Sequence, residues 1–248
     1  MKLLIVNPNT TASMTEKIGA TARALAAAGT EIVAVNPADG PVSIEGPYDE
    51  ALCLPGLLTE VKRGVAGGAD AVVVACFDDT GIDACRALVP VPVLGICHAA
   101  MQVAVQLADS FSIVTTLGRS VPVLEGLALR YGMERRCRRV RAAEVPVLAL
   151  EEPGSAAVAK VRAEVRAAVE EDGAEAVLLG CAGMTDLAAA LADEFGIPVI
   201  DGVAAGVKLA EALVGMGALT SKVGLYAVPR AKVYRGRMSE FAPSGDQA

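Results

Sequence analysis

The sequence offers little aromatic or histidine chemistry. Its 248 residues include no tryptophan, aromatic side chains make up 3%, and His98 is the single histidine. An aromatic-rich all-β sandwich is therefore not expected, and small aliphatic residues favour helices packed closely on sheets. A serine or cysteine nucleophile that needs a histidine base could use only His98, and the sequence has no Gly-x-Ser-x-Gly motif to supply such a serine. We therefore interpret His98 as a turn residue. A dedicated metal site is also unexpected.

The sequence also lacks an excess of positive charge, a targeting signal and a nucleotide-binding motif. Lysine and arginine total 22 against 29 aspartate and glutamate residues, a net charge of −7, so neither nucleic acid nor a membrane is an expected partner. The first apolar run, Leu3–Val6, is too short for a signal peptide or a membrane span, which favours a cytoplasmic location. No Gly-x-Gly-x-x-G or Walker spacing is present, and no cofactor is expected.

The cysteines lack the spacing of a metal or redox motif. The six are Cys53, Cys76, Cys85, Cys97, Cys137 and Cys181, and no two stand as Cys-x-x-Cys. Zinc ribbons, iron–sulfur clusters and thioredoxin-like sites are therefore disfavoured. In a reducing compartment these residues are expected to be free thiols, most of them small core residues.

Hydrophobic side chains, in contrast, make up 53% of the chain and recur in short runs. The runs are Leu3–Val6, Glu31–Val35, Ala71–Ala75, Val91–Ile96, Ser112–Thr115, Ala176–Leu179 and Pro198–Ile200. Strands that read as continuous apolar runs are buried on both faces, as in parallel sheets covered by helices. Alanine-rich stretches with helical character separate the runs, so the pattern predicts an α/β fold.

The chain also contains an internal repeat. Shifted by 105 residues, Gly68-Ala-Asp-Ala-Val-Val-Val-Ala-Cys76 lies over Gly173-Ala-Glu-Ala-Val-Leu-Leu-Gly-Cys181. A proline-valine pair follows each copy at nearly the same spacing, at Pro92 and Pro198. We infer two pseudo-symmetric parallel-sheet α/β domains with a site in the cleft between them. The expected first domain is residues 1–97 plus the returning segment 208–248, and the second is residues 98–207.

Matched cysteines end the two repeated strands. In an open parallel sheet, ligands bind beyond the carboxyl ends of the strands. If the halves face each other, Cys76 and Cys181 approach one cavity from opposite sides. A stereocentre is inverted when one group removes a proton from one face of a carbon acid and a second group returns a proton to the other face. The repeat therefore favours a two-base inversion.

Ionisation of these thiols needs help from their surroundings. A free cysteine has a pKa of ~8.5, and a helix N-terminus can lower it by about 1.5 units, which we expect here. Two adjacent thiolates repel, so one thiol is expected to act as base and the other as acid. Asp78 and Asp79 lie two and three residues after Cys76 and oppose its ionisation, so Cys181 is expected to ionise more readily.

Several segments together resemble the hydantoin racemase family of the aspartate/glutamate racemase superfamily. They are Asn7-Pro-Asn9-Thr10, Gly40-Pro-Val-Ser-Ile-Glu45-Gly-Pro-Tyr-Asp-Glu50, Ala75-Cys76-Phe-Asp-Asp-Thr-Gly81, Phe111-Ser-Ile-Val-Thr115-Thr116 and Leu179-Gly-Cys181-Ala-Gly-Met-Thr. The likeness covers nearly the whole chain. It implies racemisation of 5-monosubstituted hydantoins without a cofactor, with Cys76 and Cys181 on opposite faces of C5.

The resemblance also implies a set of substrate contacts. The expected residues are Asn9, Ile44, Asp79, Thr80, Thr115, Thr116 and Gly183. Allantoin racemases look similar through the same segments and are the first alternative, followed by aspartate or glutamate racemases. A small-molecule binding module is the alternative outside enzymes. Family precedent further implies a homo-oligomer.

Overall fold

Two parallel sheets of four strands form the frame of the protein. The computed structural model describes residues 1–152 and 155–245. The first sheet contains β1 (Lys2–Val6), β2 (Glu31–Val35), β3 (Ala71–Val74) and β4 (Val93–Gly95), in the order β2-β1-β3-β4. The second contains β5 (Phe111–Thr115), β6 (Cys137–Ala142), β7 (Ala176–Gly180) and β8 (Val199–Asp201), in the order β6-β5-β7-β8. All six strand pairings are parallel, which confirms the predicted fold class.

Helices cover both sheets. They are α1 (Ala12–Leu25), α2 (Pro47–Ala66), α3 (Ile82–Leu88), α4 (Ile96–Leu107), α5 (Val121–Arg130), α6 (Ala157–Glu170), α7 (Ala188–Phe195) and α8 (Gly202–Gly215). Every residue of β3 and of β7 is buried, as expected for central strands covered on both faces. None of the helices in residues 1–152 and 155–245 is both long and apolar enough to cross a membrane.

The repeated segments occupy equivalent positions in the two sheets. β3 and β7 each lie third in the strand order, beside the opening strand of their half. Strand β6 was not predicted from the sequence, because its Cys-Arg-Arg-Val-Arg-Ala stretch forms a partly exposed edge in which Val140 is the buried residue. Arg141 of this strand pairs with Asp172 at 2.6 Å, so the charged face is held by ion pairs.

Helix α8 joins the two halves. It follows the last strand of the second sheet, and the Asp201 carboxylate caps its start by accepting from Val203 N at 3.1 Å and Ala204 N at 2.8 Å. From there α8 packs against α1 and β3 of the first half and against α4, which connects the two sheets. Glycines permit this close approach: a Cβ at Gly206 would lie 2.8 Å from Val73 Cγ1.

The predicted domain boundaries fall within helices. The boundary at residues 97 and 98 lies inside α4, and the boundary at 207 and 208 lies inside α8. After α8, the chain returns to the first half, where Thr220 N donates to Pro90 O at 2.8 Å and Tyr226 Oη donates to Asp83 Oδ1 at 2.9 Å. The division into two domains stays a prediction, and its residues 246–248 lie outside the described part of the chain.

The contact between α8 and α4 provides a test of the interface between the halves. Gly202→Ala places a Cβ 2.8 Å from the Ile96 carbonyl oxygen and 3.0 Å from Ile96 Cβ. Because backbone cannot move aside cheaply, we expect overpacking to lower the free energy of unfolding by about 1–3 kcal/mol in urea denaturation. Gly215→Ala is the control, since no heavy atom lies within 4 Å of its added Cβ. Equal stability of the two variants would contradict this packing.

Candidate active site

Loops at the carboxyl ends of the central strands enclose one pocket, which we call the thiol pocket. Its empty volume, counted to the open mouth, is about 430 Å³. Asn7, Pro8 and Asn9 follow β1, and Ala75 to Asp78 follow β3. In the second sheet, Thr115 ends β5 and is followed by Thr116, and Gly180 ends β7 and is followed by Cys181 and Ala182. Met14, Ile44, Ser120 and Val147 complete the lining. Both halves therefore contribute to a single cavity, as the carboxyl-end rule for parallel sheets predicts.

The thiol pocket brings together six of the nine residues expected from the sequence. Cys76, Cys181, Asn9, Ile44, Thr115 and Thr116 line it. Asp79, Thr80 and Gly183 are outside the lining and lie behind it. Thr80 Oγ1 is 3.5 Å from the Cys76 Sγ, and Gly183 N donates to the Cys181 Sγ at 3.4 Å. These two residues thus contact the thiols themselves.

The Cys76 thiol lies in a tight turn after β3. Asp79 N donates to the Cys76 carbonyl at 3.1 Å and closes this turn. Burial raises the pKa of the Cys76 thiol well above its ordinary value, the negative charge of Asp78 raises it further, and the hydrogen bond with Thr80 opposes both effects. At neutral pH, Cys76 is therefore a thiol.

The Cys181 thiol lies directly after β7, where a 3-10 helix begins at Ala182. Burial raises its pKa to about 11, against the lowering effect of the Gly183 N–H, and Asp78 adds to the increase. Lys17 of α1 is a nearby cation that lowers the pKa of Cys181. Its ammonium is held by Gly183 O at 2.7 Å and Asp186 Oδ1 at 2.9 Å.

The expected lowering of the thiol pKa values is wrong, because both are raised. Helix α3 begins only at Ile82, beyond the turn that holds Cys76, and Cys181 precedes a short 3-10 helix instead of an α-helix. Little helix dipole therefore acts on either sulfur, and burial outweighs the single N–H bond that Cys181 accepts. The expected order of ionisation stays a prediction, because burial raises the pKa of both thiols, to about 11 at Cys181 and well above the ordinary value at Cys76.

Asp79 positions the turn after Cys76. Its Oδ1 accepts from Cys97 N at 3.0 Å, and its Oδ2 accepts from His98 N at 3.0 Å and from Tyr131 Oη at 2.8 Å. The residue has a φ of 48°, in the left-handed region that side chains rarely adopt. This strained conformation aims the carboxylate at the start of α4, so Asp79 caps that helix and ties the turn to the second half.

His98 belongs to this structural network. It lies in the first turn of α4, not in a loop, and its ring stacks on Tyr131 with centroids 4.0 Å apart. Burial, followed by nearby arginines, lowers the pKa of His98. It is not among the residues that line the thiol pocket. The interpretation of His98 as a turn residue is therefore wrong in its local structure.

Asp78, and not the expected Asp79, lines the wall of the thiol pocket. The residue is half-buried and lines the cavity. Burial raises the pKa of Asp78 to about 7, with further increases from the charges of Glu50 and Asp79. An acidic pair after Cys76 was visible in the sequence, but its two members could be told apart only from the backbone conformation.

The asparagines after β1 form a polar corner of the pocket. Asn7 Nδ2 donates to Asn9 Oδ1 at 2.8 Å and to Thr15 Oγ1 at 3.0 Å, while Thr11 N donates to Asn9 Oδ1 at 2.9 Å. The Asn9 amide oxygen is therefore occupied. Its NH2 group has Met14 Sδ at 3.3 Å, a weak acceptor, and can donate to a ligand.

The remaining lining residues carry weak signals in the sequence. Asn7 and Phe77 adjoin residues already singled out, but Met14, Ser120 and Val147 come from elements that meet the pocket only in three dimensions. Met14, Ile44, Phe77 and Val147 make much of the wall apolar. Among the described residues, no group of three or more histidine, cysteine or acidic side chains is arranged to hold a metal ion.

Comparisons with known proteins show which family the chain resembles. A family model described as Asp/Glu/Hydantoin racemase matches residues 3–210. A hydantoin racemase of Rhizobium meliloti is 52% identical over 95% of this chain and 98% of its own, and one of Pseudomonas sp. (strain NS671) is 46% identical over 97% of both. The solved structure of an allantoin racemase from Klebsiella pneumoniae is 45% identical, with a TM-score of 0.95 over 98% of this chain and 99% of its own.

Proposed function

The chain belongs to the Asp/Glu/Hydantoin racemase family and is a racemase, and we propose that it inverts C5 of 5-monosubstituted hydantoins with Cys76 and Cys181 as its two bases. The observation that carries this proposal is that both thiols line one pocket, each at the end of an equivalent central strand. Their opposite origins suit attack on two faces of one carbon. Because the relatives are racemases, the binding-module alternative is set aside.

The proposed step moves one proton at each face of C5. One cysteine, as thiolate, removes the C5 proton, and the electron pair of the C–H bond delocalises onto the C4 carbonyl as an enolate. The other cysteine, as thiol, donates its proton to the opposite face of C5 and becomes the thiolate. The opposite enantiomer reacts with the roles exchanged, so charge and protons balance in each direction.

Burial of the thiols has two opposing consequences for this step. A pKa of about 11 at Cys181 leaves few thiolates at neutral pH. The same burial makes each thiolate a stronger base towards a weakly acidic C–H bond. We propose that hydrogen bonds to the enolate offset part of the cost, with the Asn9 NH2 group and the Thr116 hydroxyl as pocket donors. Thr80 and Gly183 then orient the sulfurs, and Asp79 positions the turn.

The pocket wall favours hydantoins with apolar substituents. Met14, Ile44, Phe77 and Val147 present apolar side chains around the thiols. A benzyl or isobutyl group at C5 can bury against them, whereas the ureido group of allantoin needs hydrogen-bond partners there. Allantoin is the second candidate substrate because of the similarity to an allantoin racemase over nearly the whole chain.

A substrate panel tests this assignment. In polarimetry, L-5-benzylhydantoin and L-5-isobutylhydantoin should lose optical rotation when the enzyme is added. Allantoin should lose its rotation at least about tenfold more slowly, and the rotation of L-aspartate should not change. The uncatalysed rate of each compound is the control, because hydantoins also racemise in solution. Loss of rotation with allantoin alone would reverse the order of substrates.

Substitution of each thiol tests the two-base assignment. Cys76→Ser and Cys181→Ser should each lower kcat for L-5-benzylhydantoin by about 10²–10⁴-fold, because a serine hydroxyl is too weak an acid to replace the thiol. Cys137→Ser is the matched control, since Cys137 is half-buried in β6 and outside the thiol pocket. Circular dichroism and thermal unfolding establish that each variant folds. Racemisation at the wild-type rate by either pocket variant would contradict the assignment.

A further inference from the structure

Asp78 lines the thiol pocket, and its carboxyl has no hydrogen-bond partner among the described residues. Within residues 1–152 and 155–245, no group forms a hydrogen bond with this carboxyl, whereas neighbouring Asp79 accepts three. An acceptor in a pocket wall normally meets water or a ligand donor. Asp78 is therefore free to contact a ligand bound in the thiol pocket.

The pocket contains no positive charge to balance this carboxylate. Its ionisable lining residues in the described part of the chain are Cys76, Asp78 and Cys181, and none of the lining residues is a lysine or arginine. Lys17 lies near Cys181, but its ammonium is already bound by Gly183 O and Asp186. A ligand with a carboxylate of its own would meet like charge here.

We propose that Asp78 selects the substrate class of this enzyme: its carboxyl accepts a hydrogen bond from a ring N–H of a neutral hydantoin and repels ring-opened or free amino acids, which carry a carboxylate. The inference rests on the proposed function, since it takes a hydantoin as the substrate of the same pocket. Asp78 is then a specificity-determining residue that contacts the substrate, and the cysteines move the protons.

The charges that face Asp78 make its selectivity depend on pH. Glu50 of α2 has a buried Oε1 without a hydrogen-bond partner, and Asp79 lies beside it in the turn. Burial, then these two charges, raises the pKa of Asp78 to about 7. Above that pH Asp78 is ionised, and its charge raises the pKa of both Cys76 and Cys181. Exclusion of carboxylates should therefore strengthen as pH rises through 7.

A competition experiment tests selection of the substrate. N-carbamoyl-L-phenylalanine, the ring-opened form of L-5-benzylhydantoin, should inhibit the wild type weakly at pH 8. In Asp78→Asn, which keeps a carbonyl acceptor but loses the charge, its inhibition constant should fall about tenfold. Asp78→Glu restores the charge and should keep inhibition weak. Asp39→Asn, an exposed carboxylate outside the pocket, is the charge-matched control and should behave as wild type.

A second measurement needs no racemase activity. The rate of alkylation of Cys76 and Cys181 by iodoacetamide is followed against pH by mass spectrometry. Because the Asp78 charge opposes ionisation of both thiols, Asp78→Asn should shift both profiles to lower pH by about one unit. Asp39→Asn should shift neither. Thermal unfolding of each variant shows that the comparison is made on folded protein.

The outcomes separate this inference from the proposed function. If the wild type racemises no hydantoin, the proposed function fails, and the alkylation profiles still decide whether Asp78 acts on both sulfurs. If the wild type is active but Asp78→Asn leaves the inhibition constant and both alkylation profiles unchanged, Asp78 does not select the substrate. In that case the two-base function stands and this inference alone is overturned.

Discussion

The parallel register of two equivalent sheets is the constraint on which the site depends. β3 and β7 occupy the same position in their sheets, and each delivers a cysteine at its carboxyl end. Helix α8 packs the two halves against each other, so the loops that follow these strands are held at one pocket. A slip of one residue in either strand would turn its thiol away, since side chains alternate between faces.

Burial then determines the chemistry available in that pocket. The same apolar surroundings that raise the pKa of both thiols also raise the pKa of Asp78, so the site is uncharged at lower pH and becomes negative as Asp78 ionises. Such a site suits a neutral ring whose charge develops only during the reaction. Family membership supports racemisation, and the apolar wall supports our proposal of an apolar 5-substituent.

Much of this arrangement could be predicted from residues alone, and its failures have physical causes. Continuous apolar runs predicted the central strands, and the repeat paired Cys76 with Cys181. The edge strand β6 was not predicted because arginines dominate its sequence, and one of them, Arg141, is paired with Asp172 instead of being replaced by an apolar residue. The roles of Asp78 and Asp79 depend on one left-handed φ, and the thiol pKa values depend on burial. Neither the backbone conformation nor the burial of these residues can be predicted from the local sequence.

The most direct test of two thiols acting on opposite faces is the fate of the C5 proton in deuterium oxide. A single hydantoin enantiomer is incubated with enzyme to low conversion, and the two enantiomers are then separated. The deuterium content of each is measured by mass spectrometry, and the deuterium incorporated by uncatalysed exchange is subtracted. Two bases predict deuterium at C5 of the newly formed enantiomer and protium in the remaining substrate. Product that keeps the original proton, or equal deuterium in both enantiomers, would contradict the account.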